Sequence, residues 1–307
     1  MIHPESHSHP DPHPAGGSHA RLLICFWLTA AFMIVEALTG VFTNSLALLS
    51  DSFHMLSDAV SLGLAACAAR ISLRRPTAEK TFGFKRFEVL AAFANALILL
   101  LLSAGTAVKA LLRLWHPQPV VAGPMLIVAA LGLFLNLGIL TWLHRAGEDK
   151  NLNVDGVLWH VFGDALGSIA ALLAGAFVIW RGWFWVDPAA SLLIAGVLGV
   201  GAVRLLRQST HILVEGVPTG LDVDAVRKSM LAAPQVGEVH DLHVWTLNGR
   251  DLFLSAHVGT VPGEKSEQEV VAYLRRELGE RFGVHHITLQ AGQCVAEDCG
   301  NDCAPVY

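Results

Sequence analysis

The sequence has few charged residues and no concentrated basic segment. Only 15% of its 307 residues are Asp, Glu, Lys or Arg, whereas about a quarter is usual in soluble domains. The mean hydropathy of +0.50 predicts that most of the chain lies in lipid. The formal net charge of −5 is small and the basic residues are scattered over short loops. These features exclude a binding surface for nucleic acid.

Disulfide and catalytic patterns are also missing. Two of the five cysteines, Cys25 and Cys67, lie inside apolar runs, and the other three cluster at the C-terminus, so no disulfide framework is predicted. An intramembrane metalloprotease would need a water-activating motif such as H-E-x-x-H, which the sequence lacks. We therefore predict that the chain is not an enzyme.

Six apolar stretches are each close to or above the roughly 20 residues that a helix needs to cross a bilayer. They cover residues 22–42, 45–71, 87–115, 120–143, 154–180 and 183–205. Lysine and arginine crowd the second connection, occur in the fourth and follow the sixth stretch, and the first connection has none. Because basic loops resist translocation, both termini are predicted to be cytoplasmic. The pattern predicts a multi-pass protein of the inner (cytoplasmic) membrane, of a compact length that suggests a bacterial source.

The last third of the chain has the pattern of a small soluble domain. Its predicted elements are helices at 222–233 and 265–282 and strands at 238–247, 252–260 and 286–291, with Asn248-Gly249 as a hairpin signal. This α-β-β-α-β order predicts an α+β fold with one sheet covered by both helices on one face. The predicted domains are a His-rich disordered tail (1–20), a six-helix transmembrane domain (21–208), the α+β domain (209–293) and a Cys-containing tail (294–307).

Two of the predicted spans carry a histidine and an aspartate four residues apart. His54 and Asp58 lie in the second span, and His160 and Asp164 lie in the fifth. Residues at i and i+4 share one face of a helix, so each pair presents its two side chains together. The predicted topology makes the two spans antiparallel and brings both pairs to a similar depth near the midplane. The four side chains are therefore predicted to meet.

A divalent metal ion would explain this group of four side chains. An ionised aspartate at the bilayer centre costs about 2.5 to 3.5 kcal/mol, so two of them need positive partners. Two imidazoles and two carboxylates match the four-coordinate preference of zinc, while cadmium, cobalt, iron and manganese stay open. The alternative is that each pair is a hydrogen-bonded contact between helices, but the duplicated spacing at matching depth favours a metal.

The chemistry of these ligands predicts how transport is driven. Histidine binds metal only when it is neutral, so metal entry releases protons and reprotonation favours metal release. We therefore expect protons as the counter-ion for zinc exported from the cytoplasm. The alternative function is a membrane-anchored metal or pH sensor without net transport, for which the sequence offers no attached output module.

Several motifs of the chain resemble those of one known family. They are the runs 44–51, 54–58, 82–90, 151–154 and 160–168, the dipeptide Asp187-Pro188, the run 213–218 and the predicted strand at 240–245. In this order they resemble the cation diffusion facilitator family. The resemblance implies a homodimeric metal/proton antiporter with six transmembrane helices and a cytoplasmic metallochaperone-like (ferredoxin-like) domain. It also implies that the two His-Asp pairs form the transport site and select zinc and cadmium.

Four histidines of the soluble domain are further candidates for metal binding. His240 and His257 match positions that bind zinc in some members of that family, although Gln290 stands where those members have another histidine. His285 and His286 begin a predicted strand, and ligand and surface roles stay open for both. The connection between spans two and three lacks the histidines that bind metal in some members, so no metal site is predicted there.

The two tails carry the remaining candidates. The histidines of the N-terminal tail could gather metal or form a solvated spacer: His3, His7, His9, His13 and His19. The cysteines of the C-terminal tail could form a thiolate site, although their spacing is not a zinc-ribbon pattern: Cys294, Cys299 and Cys303.

Overall fold

A computed structural model describes residues 16–145 and 152–292, and it describes side chains from residue 27 onward except at 62, 65, 140 and 142–163. The described part contains eight helices and three strands. In chain order they are α1 (Gly16–Thr43), α2 (Leu46–Ser72), α3 (Arg86–Trp115), α4 (Ala122–Arg145), α5 (Leu152–Arg181), α6 (Val186–Leu213), α7 (Val223–Leu231), β1 (Val236–Thr246), β2 (Leu252–Thr260), α8 (Glu267–Phe282) and β3 (His286–Gly292).

Helices α1 to α6 follow the six predicted apolar stretches. Segments of α2 to α6 are long and apolar enough to cross a membrane, and α1 adds a shorter apolar segment, Trp27–Thr43, among its described side chains. The prediction of an N-terminal domain of six apolar helices is confirmed, with five helices of spanning length and a shorter described segment in α1. Helix α6 ends at Leu213, beyond the predicted end at residue 205, because the chain stays helical through polar residues that hydropathy places outside the span.

The chain divides into two compact units, residues 1–60 with 98–201 and residues 61–97 with 202–307. The first unit has an apolar cluster that includes buried alanines of α2, α4 and α5. Small residues let helices approach closely where lipid gives no hydrophobic drive for association. Gly40 of α1 has this role, because a Cβ there would lie 2.9 Å from the Leu49 side chain of α2.

The sheet of the second unit has the strand order β1-β2-β3. Strand β1 pairs antiparallel with β2 through the hairpin predicted at Asn248-Gly249, and β2 pairs parallel with β3. A parallel pair needs a crossover, which α8 provides. Alternate residues of β2, namely Leu254, Ala256 and Val258, join buried side chains of α7 and α8 in one core. The predicted α-β-β-α-β order and one-sided helix cover are confirmed.

Strand β1 contains a bulge that the sequence pattern did not predict. Its pairing with β2 steps from His240↔His257 to His243↔Ser255, so β1 has one extra residue. Asp241 takes a φ of 51° at this point, a conformation that Asp adopts more readily than most residues. Its carboxylate lies 2.8 Å from His243 Nε2 and 4.0 Å from His257 Nε2.

The connection between α2 and α3 contacts the sheet within the second unit. Lys85 Nζ lies 2.7 Å from Asp251 Oδ2, and Phe82 packs edge-on against Phe253 with ring centroids 5.5 Å apart. The hydrogen bond from Lys85 holds the pKa of Asp251 below its usual value. This contact attaches the start of α3 to the edge of the hairpin.

Candidate metal site

The structure brings together three of the four side chains predicted to bind metal in the membrane. His54 Nδ1 lies 3.2 Å from Asp58 Oδ2, and His54 Nε2 lies 3.8 Å from Asp164 Oδ1. One ligand atom from each of the three residues lies within 4.8 Å of the others. Among the described residues, no other group of three or more metal-binding side chains approaches this closely.

The spacing of these atoms can be compared with that of a zinc site. Zinc–ligand bonds of about 2.0 to 2.2 Å in a tetrahedron place neighbouring ligand atoms roughly 3.4 Å apart. A histidine gives only one ring nitrogen to an ion, and with one atom from each residue the three ligand atoms lie within 4.8 Å of one another. Side-chain rotations that bring these atoms closer would let the three groups share one ion.

Burial differs among the three side chains. Asp164 is 1% exposed, whereas the side chains of His54 and Asp58 are 20% and 29% exposed. A carboxylate as deeply buried as Asp164 requires a compensating positive charge or a proton.

His160, the fourth predicted ligand, lies on α5 one helical turn before Asp164. Residues at i and i+4 share a face of a helix, so the spacing predicts that His160 is a ligand together with Asp164. Its side chain lies outside the described part of the structure. Its participation stays a prediction.

A buried carboxylate from α6 fixes the start of α2, the helix that carries His54. Asp187 Oδ1 accepts hydrogen bonds from the Ser45 hydroxyl at 2.6 Å and from the Ala47 N–H at 3.2 Å, and its Oδ2 accepts from the Leu46 N–H at 2.8 Å. Asp187 is 0% exposed. The first N–H groups of a helix lack intrahelical partners, so Asp187 acts as an N-cap supplied by another helix.

The turn before α2 is held from α3 as well. Asn44 takes a φ of 59°, and its backbone and side-chain oxygens each accept a hydrogen bond of 2.6 Å from Arg113. The Val121 N–H, just before α4, donates to the Thr43 carbonyl at 3.0 Å. The first turn of α2, eight residues before His54, is therefore fixed by polar contacts to three elements.

Two further acids, Glu36 of α1 and Asp51 of α2, are buried in the same unit. Neither was predicted from the sequence to belong to the site. Asp51 precedes His54 by three residues, so the spacing alone puts it on the same side of α2. That spacing is the signal that could have found Asp51.

Two of the four histidines predicted to bind metal in the soluble domain face each other. His240 and His257 are opposite one another across β1 and β2, with ring centroids 5.3 Å apart. The Asp241 carboxylate lies near His257 because of the bulge. Gln290 pairs with His257 across β2 and β3. Metal binding here stays a prediction.

The other two histidines of the soluble domain lie elsewhere. His286 stacks on the Phe253 ring with centroids 4.6 Å apart, and His285 is exposed in the loop before β3. A stacked imidazole is explained by packing alone. The structure therefore supports a packing role for His286, and neither His285 nor His286 belongs to the group of three metal-binding side chains found among the described residues. Metal binding by these two histidines stays a prediction.

The tail candidates lie outside the described residues. These are the C-terminal cysteines and four of the N-terminal histidines: Cys294, Cys299, Cys303, His3, His7, His9 and His13. The fifth, His19, lies on α1, but its side chain is not described. Their proposed roles in gathering metal stay predictions.

Comparison with known proteins gave two family matches. Residues 22–214 match "Cation efflux transmembrane domain" and residues 218–294 match "Cation efflux protein, cytoplasmic domain". The zinc transporter ZitB of Pectobacterium atrosepticum is 38% identical over 284 residues, which cover 92% of this chain and 88% of that protein. The cadmium, cobalt and zinc/H(+)-K(+) antiporter of Bacillus velezensis is 39% identical over 282 residues, which cover 90% and 89%.

A solved structure also resembles part of the chain. It is the metal-bound C-terminal domain of the CzcD transporter from Cupriavidus metallidurans, with 35% sequence identity and a TM-score of 0.23. The similarity covers 24% of this chain and 99% of that one.

Proposed function

Because the chain belongs to the cation efflux family, we propose that it exports zinc from the cytoplasm in exchange for protons, with cadmium and cobalt as alternative cargo. The family consists of secondary active transporters and not of enzymes. The chain is accordingly a multi-pass membrane protein that moves metal cations. The choice of zinc and of protons is supported by the relatives' names, which include zinc, cadmium, cobalt and H(+).

One observation carries the proposal: ligand atoms of His54, Asp58 and Asp164 approach within 4.8 Å of one another between apolar helices. His160 on α5 is proposed as the fourth ligand. Two carboxylates and one Zn²⁺ have no net charge together, so the loaded site is electrically neutral in a low-dielectric interior. Loading therefore removes the cost of two uncompensated carboxylates in the membrane.

The donor set favours zinc over harder or softer ions. Neutral imidazole and carboxylate suit a borderline divalent ion in four-coordinate geometry. Magnesium and calcium would prefer six or more oxygen ligands, and copper(I) would prefer thiolates. Cadmium and cobalt accept the same donors, so they compete with zinc for the site.

Exchange for protons follows from the state that each ligand must have. Zinc binds only neutral histidine and ionised carboxylate, so protons on His54 or Asp164 must leave before or as zinc enters. A side of the membrane with more protons favours release, and the opposite side favours loading. A protein that opens alternately to the two sides then moves zinc against its gradient.

We also propose an orientation of the chain in the membrane. Both termini lie in the cytoplasm, because the basic connections follow α2, α4 and α6. The α+β domain is then cytoplasmic, and two copies of the chain associate as a homodimer. The proposed domain boundaries at 20/21, 208/209 and 293/294 are those of the sequence analysis.

The test uses full-length protein in liposomes with an imposed pH gradient. Zinc uptake should depend on the gradient, and cadmium and cobalt should compete, whereas magnesium and calcium should not. His54→Ala and Asp164→Ala should abolish uptake, because each removes a ligand from the group. His116→Ala is the matched control, since His116 is exposed at the end of α3.

Two results would contradict the proposal in different ways. Zinc uptake at the same rate with and without the pH gradient would contradict proton exchange but not zinc transport. Tight zinc binding at His54 without any movement of zinc into the liposomes would instead favour the sensor function.

A further inference from the structure

The half of α2 that precedes His54 is tightly packed. Six of its residues have buried side chains: Leu46, Ala47, Leu48, Ser50, Asp51 and Ser52. Ala47 and Leu48 belong to the apolar cluster that also contains Ala171 and Ala174 of α5. In the proposed orientation, this half of α2 lies between His54 and the outer surface of the membrane. The packing therefore shields the proposed transport site on its outer side.

A small cavity lies beside His54, where α2 meets α3 and α6. Its lining includes Ser50 of α2, Ser103 and Thr106 of α3, and Ala195 of α6. The cavity volume is about 10 Å³, whereas a single water molecule needs roughly 10 to 15 Å³. A metal ion can therefore pass along this interface only if α3 and α6 move away from α2.

Helices α3 and α6 are joined to each other at the level of this cavity. The Ser103 hydroxyl donates a hydrogen bond of 2.6 Å to the Ala195 carbonyl. A Cβ at Gly199 of α6 would lie 2.9 Å from the same hydroxyl oxygen. Small residues and hydroxyl-to-backbone bonds hold membrane helices close together. We therefore expect α3 and α6 to separate from α2 as a pair.

The same two helices hold the outer end of α2. Arg113 of α3 donates from Nη1 to the Asn44 carbonyl and from Nη2 to Asn44 Oδ1, both at 2.6 Å. Asp187 of α6 accepts hydrogen bonds from the Ser45 hydroxyl and from the first N–H groups of α2. A guanidinium that binds two oxygens at once fixes their orientation as well as their distance. Separation of the α3–α6 pair from the outer end of α2 therefore breaks these bonds.

We propose that Arg113 and Asp187, bound to Asn44 and Ser45, form a latch that keeps the outer gate of the transporter closed. The gate is the interface of α2 with α3 and α6 on the outer side of His54. This inference rests on the proposed exchange of zinc for protons and on the proposed orientation of the chain. Zinc leaves on the outer side after the latch opens, and the closed latch separates the site from that side during loading.

A cysteine reporter in the packed half of α2 tests the latch. Ser50→Cys places a thiol one helical turn before His54, at a position that is 2% exposed. Intact cells that make the full-length Ser50→Cys protein are treated with a small membrane-impermeant maleimide, and mass spectrometry of the purified protein follows its labelling over time. The protein without Ser50→Cys gives the background from the native cysteines. Labelling should be slow while the latch is intact.

Weakening the latch should expose this thiol more often. Arg113→Gln removes the charged fork that binds Asn44, and Arg113→Lys keeps the charge but cannot bind both oxygens in a fixed geometry. Loss of a hydrogen bond from a charged group corresponds to roughly a tenfold change in an equilibrium, or about 1.4 kcal/mol. Both variants should therefore label Ser50→Cys about ten times faster.

Lys109→Gln is the matched control. Lys109 is exposed on α3, one turn before Arg113, so this change removes a positive charge from the same helix and should not alter labelling. Arg113 variants that label at the rate of this control would contradict the latch, as would rapid labelling with the latch intact. Faster labelling in inverted vesicles alone would place the latch on the cytoplasmic side and overturn its assignment to the outer gate.

Asn44→Gly covers the case in which the Arg113 variants do not fold. Glycine adopts the φ of 59° of Asn44 without strain, so the change removes only the side-chain bonds. Labelling should again be about ten times faster, and an unchanged rate would contradict the latch. The maleimide reaction needs neither zinc nor a pH gradient. Faster labelling combined with failed zinc uptake into liposomes would support the latch and contradict the proposed function instead.

Discussion

Removing the Asp187 carboxylate should loosen the first turn of α2. In Asp187→Ala, the N–H groups of Leu46 and Ala47 lose their acceptor in a buried position, while the Ser45 hydroxyl can rotate to another partner. A buried donor left unsatisfied costs about 1 to 3 kcal/mol, so two of them cost about 2 to 6 kcal/mol. Because every 1.4 kcal/mol is a factor of ten, local opening should become roughly 30 to 20,000 times more frequent.

Hydrogen exchange measured by mass spectrometry reports this opening directly. The peptide that contains Leu46 and Ala47 should exchange faster in Asp187→Ala by that factor. A local readout is needed because global stability also includes the gain from no longer burying a charge. Exchange within about threefold of the wild type would refute the conclusion that Asp187 caps α2.

A surface cap gives the matched comparison. Asp222 caps α7 by accepting hydrogen bonds from the N–H groups of Asp224 and Ala225, but it is exposed. Water can replace it there, so Asp222→Ala should cost about 1 kcal/mol, or roughly a fivefold faster exchange in α7. Equal effects at both caps would mean that burial does not strengthen the dependence on Asp187.

Three further predictions concern packing and the soluble domain. Gly167→Ala should lower the free energy of unfolding of the purified protein by about 1 to 3 kcal/mol, because the added Cβ overlaps the Asp51 carboxylate. Gly105→Ala is the control, because its Cβ meets nothing within 4 Å and should not lower stability. Asp251→Asn should lower the unfolding midpoint of the soluble domain near neutral pH, measured in the full-length protein because Lys85 supplies the hydrogen bond. The reason is that a lowered folded-state pKa of Asp251 adds stability above the ordinary value of 3.8. That difference should disappear as the pH falls through the folded-state pKa, and an undiminished difference in acid would contradict the ion pair. Ser266→Ala removes the N-cap of α8 and should cost about 1 kcal/mol in the same unfolding measurement; an unchanged midpoint would contradict the cap.

The features that follow from local sequence were predictable. Hydropathy located α1 to α6 because lipid imposes a minimum length of apolar residues on every span. The i and i+4 spacing of His54 and Asp58 is a property of a single helix, so it was visible without any knowledge of packing. The order of helices and strands in the soluble domain was predictable for the same reason.

The features that depend on distant residues were not predictable. Asp187 caps a helix that begins about 140 residues earlier in the chain. No local sequence pattern near Leu46 indicates a partner so far away. The bulge at Asp241 depends on how β1 pairs with β2, and the sequence of β1 alone does not specify that pairing.

The bulge also affects how two copies of the soluble domain can meet. Strand β1 lies at one edge of the sheet, and an edge strand offers its free N–H and C=O groups to any strand that approaches. At Asp241 this row is interrupted and the strand bends. The β1 strand of a second copy therefore cannot pair along the full length of this edge. The bulge protects the domain on this side from edge-to-edge sheet extension.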